Sequence, residues 1–162
     1  MNMLWYTENH QDDVQFSIKI QKHLHSERSK FQQIDFYESK TFGRFFALDG
    51  LMMVTEKDEF IYHDMMTHVP MAINPSIQKV LIIGGGDGGT AREILRYPTI
   101  TKVDLVEIDE RVVRLCQKYL PQTAYMLDTD SHHDGHERPR RTAAGTDEYS
   151  KSDACRHPQN TG

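Results

Sequence analysis

Between residues 4 and 55 the apolar positions fall into short bursts separated by polar turns. Phe16-Ser17-Ile18-Lys19-Ile20 alternates with a period of two, and Ile34-Asp35-Phe36-Tyr37-Glu38 is strand-like. Phe42-Gly43-Arg44-Phe45-Phe46-Ala47-Leu48 runs into Asp49-Gly50 before Leu51-Met52-Met53-Val54, and Asp-Gly between two apolar runs is the strongest short hairpin signal. The pattern predicts a small antiparallel β-domain over residues 1–55. Trp5, Phe36, Tyr37, Phe45 and Phe46 are expected to fill its core rather than to stack on a ligand.

The period then changes. Thr55-Glu56-Lys57-Asp58 matches a helix-start pattern, and a helix is expected from Glu59 through Val69 to Pro70, with Ile61, Met65 and Val69 sharing one face. Tyr62 and His63 flank that face, where a neighbouring loop could meet them; a lone histidine there is more often structural or solvated than functional. After Asn74-Pro75 comes Lys79-Val80-Leu81-Ile82-Ile83, an uncharged run after its first residue that reads as a strand buried on both faces of a parallel sheet. It breaks into Gly84-Gly85-Gly86-Asp87-Gly88-Gly89, where glycines permit a sharp turn and close approach to a ligand. Good helix formers from Ala91 to Tyr97 follow, up to Pro98. Strand, glycine loop and helix in that order make a nucleotide-binding first unit.

Gly84-x-Gly86-x-x-Gly89 fits the dinucleotide fingerprint, and Glu107 closes the next strand, residues 102–107, 23 positions after Gly84. An acidic side chain at about 20 residues is placed to accept hydrogen bonds from ribose hydroxyls. Asp87 changes the reading, because a carboxylate inside a pyrophosphate cradle would repel its ligand. It suits a cation such as an ammonium, so an S-adenosyl sulfonium ligand is favoured over NAD or FAD. The competing reading is that Asp87 only caps the following helix.

Composition narrows the class without choosing a chemistry. The 162 residues suit one domain or slightly more, and a net charge of −5 offers no basic excess for nucleic acid. No apolar run approaches a membrane helix. Cys116 and Cys155 lack metal or redox spacing, and the N-terminus lacks an export pattern, so a reduced, cytoplasmic setting is expected.

Six motifs in order carry a family resemblance: Phe31-Gln32-Gln33-Ile34, Ala47-Leu48-Asp49-Gly50, the run from Thr55 to Met65 containing Tyr62-His63-Asp64-Met65, the glycine loop with its strand, Val106-Glu107-Ile108-Asp109, and Lys118-Tyr119-Leu120-Pro121. Together they resemble spermidine synthase, a polyamine aminopropyltransferase, from Met1 to about Ala124. The resemblance implies an α+β fold: a small N-terminal antiparallel β-domain followed by the first half of a Rossmann-like, methyltransferase-type α/β domain over residues 56–124. It implies aminopropyl transfer from decarboxylated S-adenosylmethionine, a co-substrate rather than a cofactor, to putrescine. The products would be spermidine and 5′-methylthioadenosine, and the intact family assembles as homodimers or homotetramers. Position by position, Gln32 resembles the glutamine that contacts the nucleoside product, and His63 the polyamine-site histidine. Asp87 resembles the loop aspartate holding a ligand amine, Glu107 the ribose acid, and Tyr62 a residue near the polyamine channel. No metal is implied.

The chemistry needs a proton acceptor, since a free alkylamine is protonated at neutral pH while displacement beside a sulfonium requires it neutral. In the family that acceptor is an aspartate in an Asp-x-Thr/Ser-Asp-Pro loop, which this sequence lacks, so no catalytic residue is assigned. Residues 122–162 contain no Val, Ile, Phe or Trp and one leucine, Leu127. That composition predicts a disordered or aberrant tail over residues 125–162, of the kind a frameshift or prematurely ended reading frame leaves. Asp134-Gly135 is discounted as an adenine-binding pair for want of a preceding strand, and His132, His133 and His136 lack regular metal-ligand spacing. The chain is therefore expected to be an inactive, truncated form. The alternatives are another S-adenosylmethionine-dependent transferase, such as a methyltransferase, and a non-catalytic fragment that docks onto a full-length homologue.

Overall fold

The computed structural model describes residues 4–127 and the backbone of residues 146–150. Strands β1 (Leu4–Gln11) and β2 (Val14–Ile20) form an antiparallel hairpin. A four-stranded antiparallel meander follows: β3 (Lys22–Arg28), β4 (Gln33–Ser39), β5 (Gly43–Leu48) and β6 (Leu51–Thr55). The β5–β6 turn is the expected one, with Asp49 at φ 49° and Gly50 at φ 84°, positive at both central positions as a two-residue hairpin requires. Strand β3 was not legible, because Lys22, His23, Glu27 and Arg28 give it no apolar face. It is an edge strand with a register shift between His23 and His25, and edges tolerate such charge.

The meander is buried on both faces. Ile34, Phe36 and Phe46 join the core of the α/β unit, while Phe45 and Ala47 on the other face meet Tyr6, Ile18 and Ile20 of the hairpin. Trp5 departs from expectation and is half exposed: Tyr6 turns inward, so its neighbour on an alternating strand must turn out.

Helix α1 (Glu59–Ile73) begins after Asp58, whose Oδ1 accepts from Thr55 Oγ1 at 2.5 Å. It passes Pro70 by most of a turn, and the Asn74 N–H closes it on the Pro70 carbonyl. The buried face is not the one the apolar spacing suggested. His63, Thr67 and Met71 face inward, while Ile61, Met65 and Val69 are exposed. The inward stripe meets α2 (Gly89–Ile94), which stops three residues before Tyr97.

Strand β7 (Lys79–Ile83) pairs in parallel with β8 (Lys102–Val106), Lys79 opposite Lys102 and Ile83 opposite Val106. Val103 and Leu105 are fully buried, but in β7 only Ile82 is; Leu81 is 59 % and Ile83 78 % exposed. The expectation of burial on both faces therefore fails for β7. It stands at the end of the sheet order β7-β8-β9, and among the described residues no element covers Leu81 and Ile83. Helices α3 (Glu110–Tyr119) and α4 (Pro121–Ala124) complete the core.

Two stretches beyond Ala124 are described. Packing continues past Ala124, since Met126 and Leu127 are buried. The backbone of β9 (Thr146–Ser150) pairs antiparallel with β8, Val103 opposite Tyr149. A sheet edge supplies unpaired amides and carbonyls that polar chain can satisfy as well as apolar chain. The expectations for His132, His133, His136, Asp134-Gly135 and Cys155 fall outside the described residues.

Candidate functional site

The glycine loop leaves β7 at the carboxyl ends of the parallel strands, where ligands of open α/β sheets bind. Gly84 extends the ladder by donating its N–H to the Val106 carbonyl at 2.8 Å, then turns with φ 75°. Two carboxylates are fixed at the two ends of this loop by backbone amides. Glu107 accepts from the Gly86 N–H at 3.1 Å on Oε2 and from the Asp109 N–H at 3.0 Å on Oε1. Asp87 Oδ1 accepts from the Gly89 N–H at 2.8 Å. Asp87 thus ties down the first amide of α2, although the N-cap itself is Gly88 and carries no side-chain cap, and it also lines a cavity.

That cavity, of about 400 Å³, lies between α1 and β7 and is lined by apolar side chains including Met53, Met66, Leu81 and Ile83. Asp87 is the one charged residue in its lining, and Tyr62 reaches the same wall. An apolar cleft with a single carboxylate in its lining suits an alkylammonium chain.

His63 is fully buried behind Asp87. Its Nδ1 is 2.5 Å from Glu59 Oε2, and its Nε2 is 3.0 Å from Asp87 Oδ1. The second contact is an electrostatic pairing rather than a directed hydrogen bond, since Nε2 has no well-aligned partner. Burial opposes the charge on the ring, but the pull of Asp87 and Glu59 outweighs it and raises the imidazole above its ordinary value of 6.5. Burial likewise pushes Asp87 up, and His63 together with the Gly89 amide more than reverses this, leaving the carboxyl below 3.8. Glu59 is itself gripped by both nitrogens of the Arg92 fork, Nη1 to Oε1 at 2.8 Å and Nη2 to Oε2 at 3.0 Å. The last glycine of the fingerprint serves this packing: a Cβ on Gly89 would overlap the His63 ring.

Gln32 sits at the other end, with Glu107. Its Nε2 donates to Asp109 Oδ2 at 3.0 Å, an oxygen that also accepts from Ser29 Oγ at 2.6 Å. Asp109 is buried and caps α3 by accepting from the Arg111 N–H. The β-domain thereby reaches the Glu107 side of the loop through Gln32 and Asp109. Of the residues singled out in the sequence, His63, Asp87 and Tyr62 gather on the cavity side, and Gln32 and Glu107 on the other. Glu59, Arg92 and Asp109 were given no role. The i, i+4 spacing of Glu59 and His63 could have revealed the first; nothing local links Arg92 to Glu59 or Asp109 to Gln32. Cys116 is buried, and burial drives its thiol well above the ordinary range, so it is inert.

The spermidine synthase tetramerisation domain family matches residues 4–56, and the spermine/spermidine synthase domain family matches residues 59–134. A polyamine aminopropyltransferase of Clostridium acetobutylicum is 66 % identical over 147 residues, 88 % of this chain and 51 % of that protein. One from Clostridium botulinum is 68 % identical over 127 residues, 78 % of this chain and 45 % of its own. The crystal structure of spermidine synthase from Thermotoga maritima superimposes with a TM-score of 0.75 at 46 % identity, covering 78 % of this chain and 45 % of that one. A spermidine synthase in complex with the transition state analogue AdoDATO gives the same TM-score and identity. The chain spans about half the length of the curated relatives it matches, and the similarity extends past Ala124. Two adjoining domain families and these relatives place the chain in the spermidine synthase family of polyamine aminopropyltransferases.

Proposed function

We propose that the chain carries the donor-binding side of an aminopropyltransferase acting in the cytoplasm. That enzyme would move an aminopropyl group from decarboxylated S-adenosylmethionine to putrescine. The observation that carries this reading is Asp87, a lone carboxylate shared by the glycine loop and an apolar cavity. Glu107 would accept from the ribose hydroxyls, and Gln32 would lie against the nucleoside. Asp87 would hold the ammonium of the aminopropyl arm, with Tyr62 along the polyamine side. The amine nitrogen would form a bond to the methylene carbon beside the sulfonium as the carbon–sulfur bond breaks, releasing methylthioadenosine, and the amine proton would pass to a carboxylate. That carboxylate is not assigned to any of the 162 residues, so the chain by itself would bind without turning over.

The β1–β2 hairpin exposes Leu4, Val14 and Phe16 on one face and Trp5 on the other, apolar side chains suited to self-association as a homodimer or homotetramer. Among the described residues no helix is long and apolar enough to cross a membrane. Calorimetry with decarboxylated and intact S-adenosylmethionine tests the reading. The intact compound retains an α-carboxylate that Asp87 would repel, so equal affinities would overturn aminopropyl-donor binding and favour a methyltransferase-like site.

A further inference from the structure

His63 does not touch the cavity; it stands behind Asp87, fully buried, with Glu59 at its far nitrogen. We propose that His63 is a built-in counter-ion that competes with a ligand's ammonium for Asp87, and that Glu59, clamped by Arg92, holds it in that role. The inference rests on the proposed binding of a cation at Asp87.

The argument is one of charge balance in a small, nearly dry space. Arg92, Glu59, His63 and Asp87 form a line of alternating charges, plus, minus, plus, minus, that sums to zero when the ring is protonated. An ammonium arriving from the cavity side adds one positive charge beside Asp87. Buried charge is tolerated only when it is matched, so the least costly response is for His63 to lose its proton. The groups facing the ring leave no other means of adjustment. On α1 these are Glu59 and the edge of the Tyr62 ring, and on the loop Asp87 itself. Behind Glu59, Arg92 of α2 stays charged and is shared with Glu93, and the buried Cys116 thiol of α3, which feels the charge of Asp87, stays neutral. The absent side chain at Gly89 is what admits the imidazole to this position.

The proposal predicts that binding of a cationic nucleoside strengthens as pH rises, by up to about tenfold per pH unit while His63 is protonated, since one proton is released per ligand bound. Methylthioadenosine, which lacks the ammonium, should bind independently of pH. In Glu59→Gln the ring loses its closer carboxylate, so its titration midpoint should fall. Decarboxylated S-adenosylmethionine should then bind severalfold more tightly at pH 7. Glu59→Asp, one methylene short of Nδ1, should shift both in the same direction by less. The measurements are calorimetry with the two nucleosides between pH 6 and 8 and a nitrogen-15 NMR titration of His63, both on the whole chain.

A pH-independent preference for the ammonium ligand would overturn the competition while leaving the reading of Asp87 intact. Equal binding of both nucleosides at every pH would overturn that reading, and this inference with it. If neither nucleoside binds, the NMR titration decides: a His63 midpoint unchanged by Glu59→Gln refutes the role assigned to Glu59.

Discussion

Asp87→Asn separates the two functions that converge on one side chain. The amide retains an oxygen for the Gly89 N–H, now 2.8 Å from Oδ1, so the start of α2 keeps its hydrogen bond and the loop its shape. The negative charge facing the cavity is lost. A charge-assisted contact of this kind contributes about 1.5–3 kcal/mol. The expected cost for decarboxylated S-adenosylmethionine is therefore about 10- to 150-fold in dissociation constant. Methylthioadenosine shares the nucleoside but has no ammonium, so its affinity should change less than about threefold. The assay is calorimetry of both ligands against wild type and variant, with thermal unfolding as a control on the fold. Equal weakening of the two would show that Asp87 acts through loop shape alone, and the cation argument would fall.

Glu107→Gln should weaken both nucleosides alike by about 1–2 kcal/mol, because one amide oxygen cannot serve both the Gly86 and Asp109 N–H groups and also accept from a ribose; selective loss of one ligand in the same titration would misplace the ribose. Gly89→Ala should destabilise the fold by about 1–3 kcal/mol in urea unfolding, since the new methyl meets the buried His63 ring. The pH profile of stability should have two flanks. His63 is raised above 6.5, so its contribution is present below that value and fades as pH rises through the folded-state value; Asp87 is lowered below 3.8, so its share is present above 3.8 and fades as pH falls further. His63→Gln should flatten the alkaline flank, and an unchanged profile would remove His63 from the account. Last, the 162-residue chain should release methylthioadenosine from decarboxylated S-adenosylmethionine and putrescine at least about 10²–10⁴ times more slowly than a full-length relative; turnover within a factor of ten would mean that the chain supplies its own proton acceptor.

Local rules carried furthest where a residue's conformation or chemistry depends on its immediate neighbours. The Asp49-Gly50 turn, the glycine loop after β7 and the helix beginning after Asp58 are such features, and each stands at its place in the chain. The buried face of α1 is different. Both the Ile61, Met65, Val69 stripe and the His63, Thr67, Met71 stripe recur every four residues, and only the position of α2 decides which turns inward. The more apolar stripe is the exposed one, and the inner one carries His63, which pairs with Glu59 and Asp87. Strand β3 leaves no pattern in the sequence for the opposite reason, since an edge needs backbone pairing and not apolar side chains. The contacts of Gln32 with Asp109, 77 residues apart, and of Arg92 with Glu59, 33 apart, arise from the fold and leave no trace in sequence spacing.

The meander sandwiched between the hairpin and the α/β unit bears on how the chain comes apart. Phe36 and Phe46 belong to the core of the α/β unit, although their strands belong to the β-domain. Peeling that unit away would strip one whole face of the sheet, so the residues before Thr55 and those after it share a single cooperative melting event. Amide hydrogens of β4 and β5 should therefore exchange only by global opening, at the rate of those in β8. A protease that nicks the connection between Thr55 and Glu59 should leave two pieces that remain together until the whole assembly unfolds.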